Sequence, residues 1–245
     1  MVYPAYVIAT LMMIYITISP GYAMKLEKKL FPVLIVVSIS LAPGRLFSQH
    51  RPWDQWDEEV VRELNTASGV EYLNEEEKKV ILFMNMARHD GTLFAETFLE
   101  TYVTENATEN SRDLKSLYRD LEQVSGHPPL IPEEDLTVIA REHATASGRS
   151  GHVGHGNFNR LFKPLMGNPY LQVGENCSYG YERAIDIVIT LLIDEGVKDR
   201  GHRRNILNER FNSVGVSIRP HRRYRVNCVT DFGLRFRSDL NEVPY

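Results

Sequence analysis

Two segments far apart in the chain carry the side chains best suited to chemistry near neutral pH. They are Gly174-Glu175-Asn176-Cys177 and Gly201-His202-Arg203-Arg204-Asn205-Ile206-Leu207, with His152 and His155 upstream. Imidazole and carboxylate are the groups that bind a divalent metal or pass a proton in this range. The flanking glycines permit tight turns and close backbone approach. Two neutral imidazoles and a carboxylate can hold zinc with a fourth position open. Glu175 and His202 are also the acid–base candidates. No Gly-x-Ser-x-Gly elbow and no His-Glu-x-x-His pair accompanies them, and Ser150, beside Gly151-His152, is the one serine placed as a nucleophile to test.

The elements that must position these residues follow from periodicity. Asn74 with Glu77 forms a capping-box start, and Val80, Ile81, Met84 and Ala87 recur at helical spacing until Asp90-Gly91. Further helices are expected over 93–102 and 111–124. Another opens at Pro132 with Leu136, Ile139, Ala140, His143 and Ala144 on one face, which makes His143 a core histidine. A Gly-, Asn- and His-rich loop covers 149–169, with a short helix at 159–162. Strands are expected over 170–179, 213–218 and 224–232, with a strongly apolar helix over 182–194 between the first two. Helices first and an antiparallel hairpin last point to an α+β layered domain.

Residues 1–23 are apolar and read as an extension ahead of the true start or as a membrane segment. Residues 24–49 read as a signal peptide: Lys25, Lys28 and Lys29 form a basic n-region before the apolar run 30–41. Residues 50–72 form a linker or arm, and 73–238 the folded domain. Removing 1–49 takes away Lys25, Lys28, Lys29, Arg45 and Glu27, so the formal charge moves from −4 to −7. An acidic domain argues against nucleic acid as a partner. Arg203, Arg204, Arg219, Arg222, Arg223 and Arg225 are expected to form a solvated rim. Cys177 and Cys228, an even count in an exported chain, permit one disulfide if their strands are neighbours.

The Gly174-Glu175-Asn176 and Gly201-His202-Arg203-x-Asn205-Ile206-Leu207 motifs, followed by Val214-Gly215-Val216 and Asp231-Phe232-Gly233, resemble the CAP superfamily of cysteine-rich secretory, antigen 5 and pathogenesis-related 1 proteins, in its bacterial SCP-like form. Asn85, Arg88 and the Ala140-x-x-His143-Ala144 helix fit the same pattern, and the resemblance spans most of 73–233. It implies a three-layer α-β-α sandwich with a small antiparallel sheet and a cleft of two histidines and two acids that binds a divalent metal in many members. Carried over, the metal ligands are Glu175, His202, one of His152 and His155, and one of Asp194 and Glu195. His152 is taken first because it follows the helix at the expected glycine turn. The function so implied is an exported binding module, periplasmic, cell-surface or secreted, taking zinc or another divalent cation and a lipid, protein or envelope ligand. A metal-assisted hydrolase using the same cleft and a structural envelope protein with a vestigial cleft are the alternatives.

Overall fold

The computed structural model describes residues 52–106, 111–156 and 158–236. The segments expected as an apolar extension (1–23) and a signal peptide (24–49), the first two residues of the arm and residues 237–238 of the expected domain lie outside the described residues. A 3-10 turn (Pro52–Gln55) leads into α1 (Glu58–Leu64), α2 (Glu75–His89), α3 (Gly91–Phe94), a π turn (Ala95–Leu99), α4 (Glu100–Glu105) and α5 (Arg112–Leu121). Then come β1 (Ile131–Pro132), α6 (Glu134–Ser150), α7 (Phe158–Phe162), β2 (Tyr170–Tyr179), α8 (Ala184–Ile193), α9 (Gly201–Ile206), β3 (Ser213–His221) and β4 (Arg225–Arg235). No helix among the described residues is long and apolar enough to cross a membrane.

The sheet runs in the order β1-β3-β4-β2. β2 and β3 are both antiparallel to β4, and the two-residue β1 lies parallel to β3. Strand alternation divides its side chains between two helical layers. Val214, Val216, Cys228 and Phe232 face a core built with α2, α5 and α8, while Cys177 and Val229 face Ala140 and Ala144 of α6. The result is a three-layer α-β-α sandwich of the α+β class. Gly215 sets the spacing of the α6 layer: a Cβ there would stand 2.2 Å from Leu136 C and Thr137 N, so the helix backbone rests directly on the strand.

Local chemistry explains the helices that matter to the site. The capping box of α2 is formed, with Asn74 Oδ1 accepting from Glu77 N and Glu77 Oε2 accepting from Asn74 N. Arg88, near its end, is fully buried and donates to the carbonyls of Pro128, Ile206, Asn208 and Phe211 at 2.7–3.1 Å, tying α2 to the segment after α9. Burial lowers its pKa to about 10. Gly151 (φ 76°) ends α6 in the left-handed conformation that glycine adopts without strain.

The arm at 50–72 carries α1, capped by Asp57, and Trp56 is buried with its indole N–H on Thr97 Oγ1 at 3.1 Å. Two expectations are corrected here. Cys177 and Cys228 are free. Cys177 pairs with Val229, and Cys228 is the residue next to Val229, so the two thiols leave β2 and β4 on opposite faces and cannot be bridged across the sheet. Arg203 leaves the solvated rim: it is 2% exposed and its guanidinium donates to Leu192 O, Ile193 O, Asp113 O, Ser116 Oγ and Asp120 Oδ2.

Candidate functional site

The two glycine-bearing motifs meet at β2, which has a neighbour in the sheet on one side only. Gly174 permits the contact, since a Cβ there would stand 3.0 Å from Asn205 Oδ1. Asn205 Nδ2 donates to Asn176 Oδ1 at 2.9 Å and to Glu175 O at 3.3 Å, and Asn176 Nδ2 donates to His202 O at 3.0 Å. These amide bonds hold α9 against β2 and fix where His202 stands relative to Glu175.

Glu175 is buried and accepts from two histidines. His143 Nδ1, from α6, lies 2.7 Å from Oε2, and His155 Nδ1, from the loop after α6, lies 2.9 Å from Oε1. Burial by itself would raise the carboxyl pKa, but the hydrogen bonds and charge of His143 and His155 outweigh it and hold the group below its ordinary value. The same contact raises the pKa of His155. The loop is anchored on both sides of that ring. Gly154 N donates to Tyr179 Oη at 2.9 Å, His221 Nε2 meets His152 O at 3.0 Å, and Phe158 N donates to His155 O at 3.1 Å.

A second dyad stands across from the first. Asp194 ends α8 with φ 55°, a left-handed conformation that aspartate tolerates better than most residues. That turn aims its buried carboxylate at the start of α9. Oδ1 lies 2.6 Å from His202 Nδ1, and Oδ2 accepts from the backbone N of His202 at 2.9 Å and of Arg203 at 3.3 Å. The rings of His155 and His202 are 6.4 Å apart between centroids. A carboxylate only accepts, so in each neutral imidazole the proton sits on Nδ1 and the Nε2 lone pair is left for a ligand.

Of the residues expected at the site, His155, Glu175, Asp194 and His202 are gathered at one edge of the sheet. His152 is not with them. Its side chain is exposed and lines a hollow with Glu142, His143, Ser150 and Arg160. Glu195 points elsewhere too, accepting from Ser111 Oγ at 2.7 Å. Ser150 closes α6, bonded to the carbonyls of Ala146 and Ser147. His143, expected as a core histidine, is buried but bonded to Glu175. Its signal was helical spacing, which aims it at the sheet without saying what lies beneath.

Cys177 sits one side-chain position along β2 from Glu175, its sulfur 3.7 Å from Glu175 Oε1 and 3.8 Å from Gly154 O. Burial, then the charges of Glu175 and Asp231, raise the thiol pKa well above its usual range, which disfavours the thiolate in metal-free protein. One ligand-type atom each from His143, Glu175 and Cys177 lies within 4.8 Å of the others, a buried set able to hold a metal ion. Beside His202 and Asp194 a groove of about 530 Å³ is lined by Tyr102, Tyr181, Leu191 and Val197.

Comparison with known proteins places this architecture. A family model described as the cysteine-rich secretory protein family, CAP, matches residues 87–232, more than half of the chain. No curated protein sequence matches. Among solved structures, the chain is similar to an outer surface protein from Borrelia burgdorferi at 18% identity, covering 53% of this chain and 97% of that one with a TM-score of 0.37. It is also similar to venom allergen-like protein 4 from Schistosoma mansoni (12% identity, 67% and 92% covered, TM-score 0.41). A third likeness is to an extracellular protein containing a SCP domain from Bacillus anthracis (21% identity, 43% and 34% covered, TM-score 0.35).

Proposed function

The chain belongs to the cysteine-rich secretory protein (CAP) family, and from that premise we propose that it is an exported binding module whose cleft holds a divalent cation between His155 and His202. The observation that carries this reading is the pair of carboxylate–histidine dyads, Glu175–His155 and Asp194–His202, with rings 6.4 Å apart. The donor set fits a cation such as zinc, since carboxylate-backed imidazoles are oriented and made more basic for coordination. In this arrangement His155 and His202 are the ligands, while Glu175 and Asp194 act from behind the rings. When bound, the cation supplies a fixed positive charge for an anionic group of the ligand.

The adjoining groove favours a ligand with an apolar part. Tyr102, Tyr181, Leu191 and Val197 offer ring and aliphatic surface next to Asp194 and His202, the mixture of apolar wall and few polar groups that binds small molecules. A lipid or other envelope component has that chemistry. Export is supported by the family and by the basic-then-apolar run at 24–49.

Calorimetric titration of metal-free protein with zinc tests the reading. His155→Ala and His202→Ala are each expected to remove one bound equivalent, with turnover on an ester and peptide panel at background. Zinc binding unchanged in the double variant would overturn the cleft. Turnover that disappears on chelation and in His202→Ala would replace the binding module with a hydrolase.

A further inference from the structure

Beneath the cleft, the α6 face of the sheet holds polar groups besides Glu175 that the cleft does not use. Glu175 and Cys177 project into this layer from alternate positions of β2, and His143 descends into it from α6. Asp231 is paired directly with Glu175 in the β2–β4 register, so its side chain leaves on the same face. Asp231 is 0% exposed and His143 4% exposed.

Donors and acceptors in this layer do not balance. Glu175 accepts from Nδ1 of His143 and of His155 and from the Cys177 thiol, while Asp231 has the Glu175 carboxyl as its neighbour. Neither oxygen of Asp231 meets a donor among the described residues, and His143 Nε2 has no partner either. The Cys177 sulfur has only the contacts at 3.7 and 3.8 Å. Buried polar groups are normally satisfied, and a cluster of exceptions points to an ion or water. Protonating Asp231, which burial and the neighbouring Glu175 favour, removes its charge but leaves its second oxygen and the imidazole nitrogen unmatched. A single cation can meet one His143 nitrogen, the Cys177 sulfur and a Glu175 oxygen, since one such atom from each lies within 4.8 Å of the others.

We propose that His143, Glu175 and Cys177, with Asp231 beside Glu175, form a second, buried site for a borderline-soft divalent cation of the zinc class, distinct from the histidine pair at the cleft. Mixed nitrogen, sulfur and oxygen donors from buried residues are the ligand set of a zinc-class cation rather than of calcium or magnesium. Binding deprotonates Cys177, whose proton goes to solvent, and leaves His155 and His202 free for the cleft. The expected role is structural, pinning α6 to β2 and β4.

Cobalt(II) is the probe, because a thiolate bound to it gives a charge-transfer band in the near ultraviolet that imidazole and carboxylate ligands do not. The metal-free full chain is titrated with cobalt, alone and as Cys177→Ser, Cys177→Ala, Asp231→Asn and His202→Ala. The expected result is a thiolate band in the parent that survives in His202→Ala, is lost in both Cys177 variants and weakens in Asp231→Asn. Circular dichroism of Cys177→Ala, where alanine joins Ala140, Ala144 and Val229, shows whether the fold is kept. No thiolate band in the parent overturns the proposal, and so does a band that persists in Cys177→Ser or vanishes in His202→Ala. Failure of the cleft reads out separately, as metal stoichiometry unchanged by His202→Ala.

Discussion

Asp194→Asn separates a carboxylate that positions His202 from one that merely fills space. Asparagine keeps the size, tolerates the left-handed backbone at φ 55°, and retains one oxygen for the backbone N–H groups of His202 and Arg203. What it loses is charge on three contacts, at 2.6, 2.9 and 3.3 Å. Hydrogen bonds to a charged group contribute about 1.5–3 kcal/mol against about 1 for neutral ones, so the expected loss of stability is about 2 kcal/mol. For a domain of this size that lowers Tm by about 4–8 °C. The amide NH₂ then faces His202 Nδ1, which becomes an acceptor and forces the proton to Nε2. Zinc affinity at the cleft is expected to fall by about 10–100-fold, the usual effect of removing a carboxylate behind a metal-binding imidazole. Two-bond nitrogen–proton NMR correlations report the tautomer, calorimetry the Tm, and titration the affinity. If Nδ1 of His202 still carries the proton and zinc binding equals that of the parent, the reasoning about Asp194 is refuted.

Other consequences are equally direct. Arg88→Met strips four carbonyls of their donor, the two buried ones (Ile206 and Phe211) at about 1–3 kcal/mol each, so urea unfolding is expected to show a loss above about 2 kcal/mol, and a loss below about 1 would show that water or relaxation replaces the guanidinium. Gly215→Ala forces a methyl to within 2.2 Å of the α6 backbone. A destabilisation of about 1–3 kcal/mol is expected, with displaced chemical shifts at His143, and a neutral variant would mean that α6 is less closely seated than described. In metal-free protein the His155–Glu175 pair makes stability depend on pH. His155 is held above its ordinary value of 6.5, so its contribution is complete below that value and is lost as pH rises through the raised one. His155→Asn is therefore expected to lower Tm more at pH 5.5 than at pH 8.5, and a difference equal at both would contradict the assignment.

Much of the scaffold is readable from local pattern, because local chemistry specifies it. The Asn74/Glu77 box, the apolar run of α8 and the alternation of β2, β3 and β4 are each encoded within about ten residues. The misses have a common cause, which is register. His152 and His155 are separated by Val153-Gly154, and only the anchoring of Gly154 to Tyr179 and of His152 to His221 decides which ring faces Glu175. His143 lies on an apolar helix face, and that Glu175 waits below it depends on how β2 is seated against α6. Asp231 did leave a trace, an acid at an inward-facing position of a strand with Val229 and Gly233 on the same side, but its pairing with Glu175 is a long-range fact. The opposite faces of Cys177 and Cys228 follow from the same pairing. α9 escaped because six residues with only Ile206 apolar show little periodicity, and they are held by contacts with β2 and Asp194 rather than by helix propensity.

The most direct measurement is an anomalous-scattering map at the zinc edge from crystals of the protein grown with zinc. The account predicts a peak within coordination distance, about 2.0–2.1 Å, of Nε2 of both His155 and His202, with Glu175 and Asp194 on the Nδ1 side of the rings. Rings turned away from each other with no peak between them, or zinc held by His152 in their place, would contradict it.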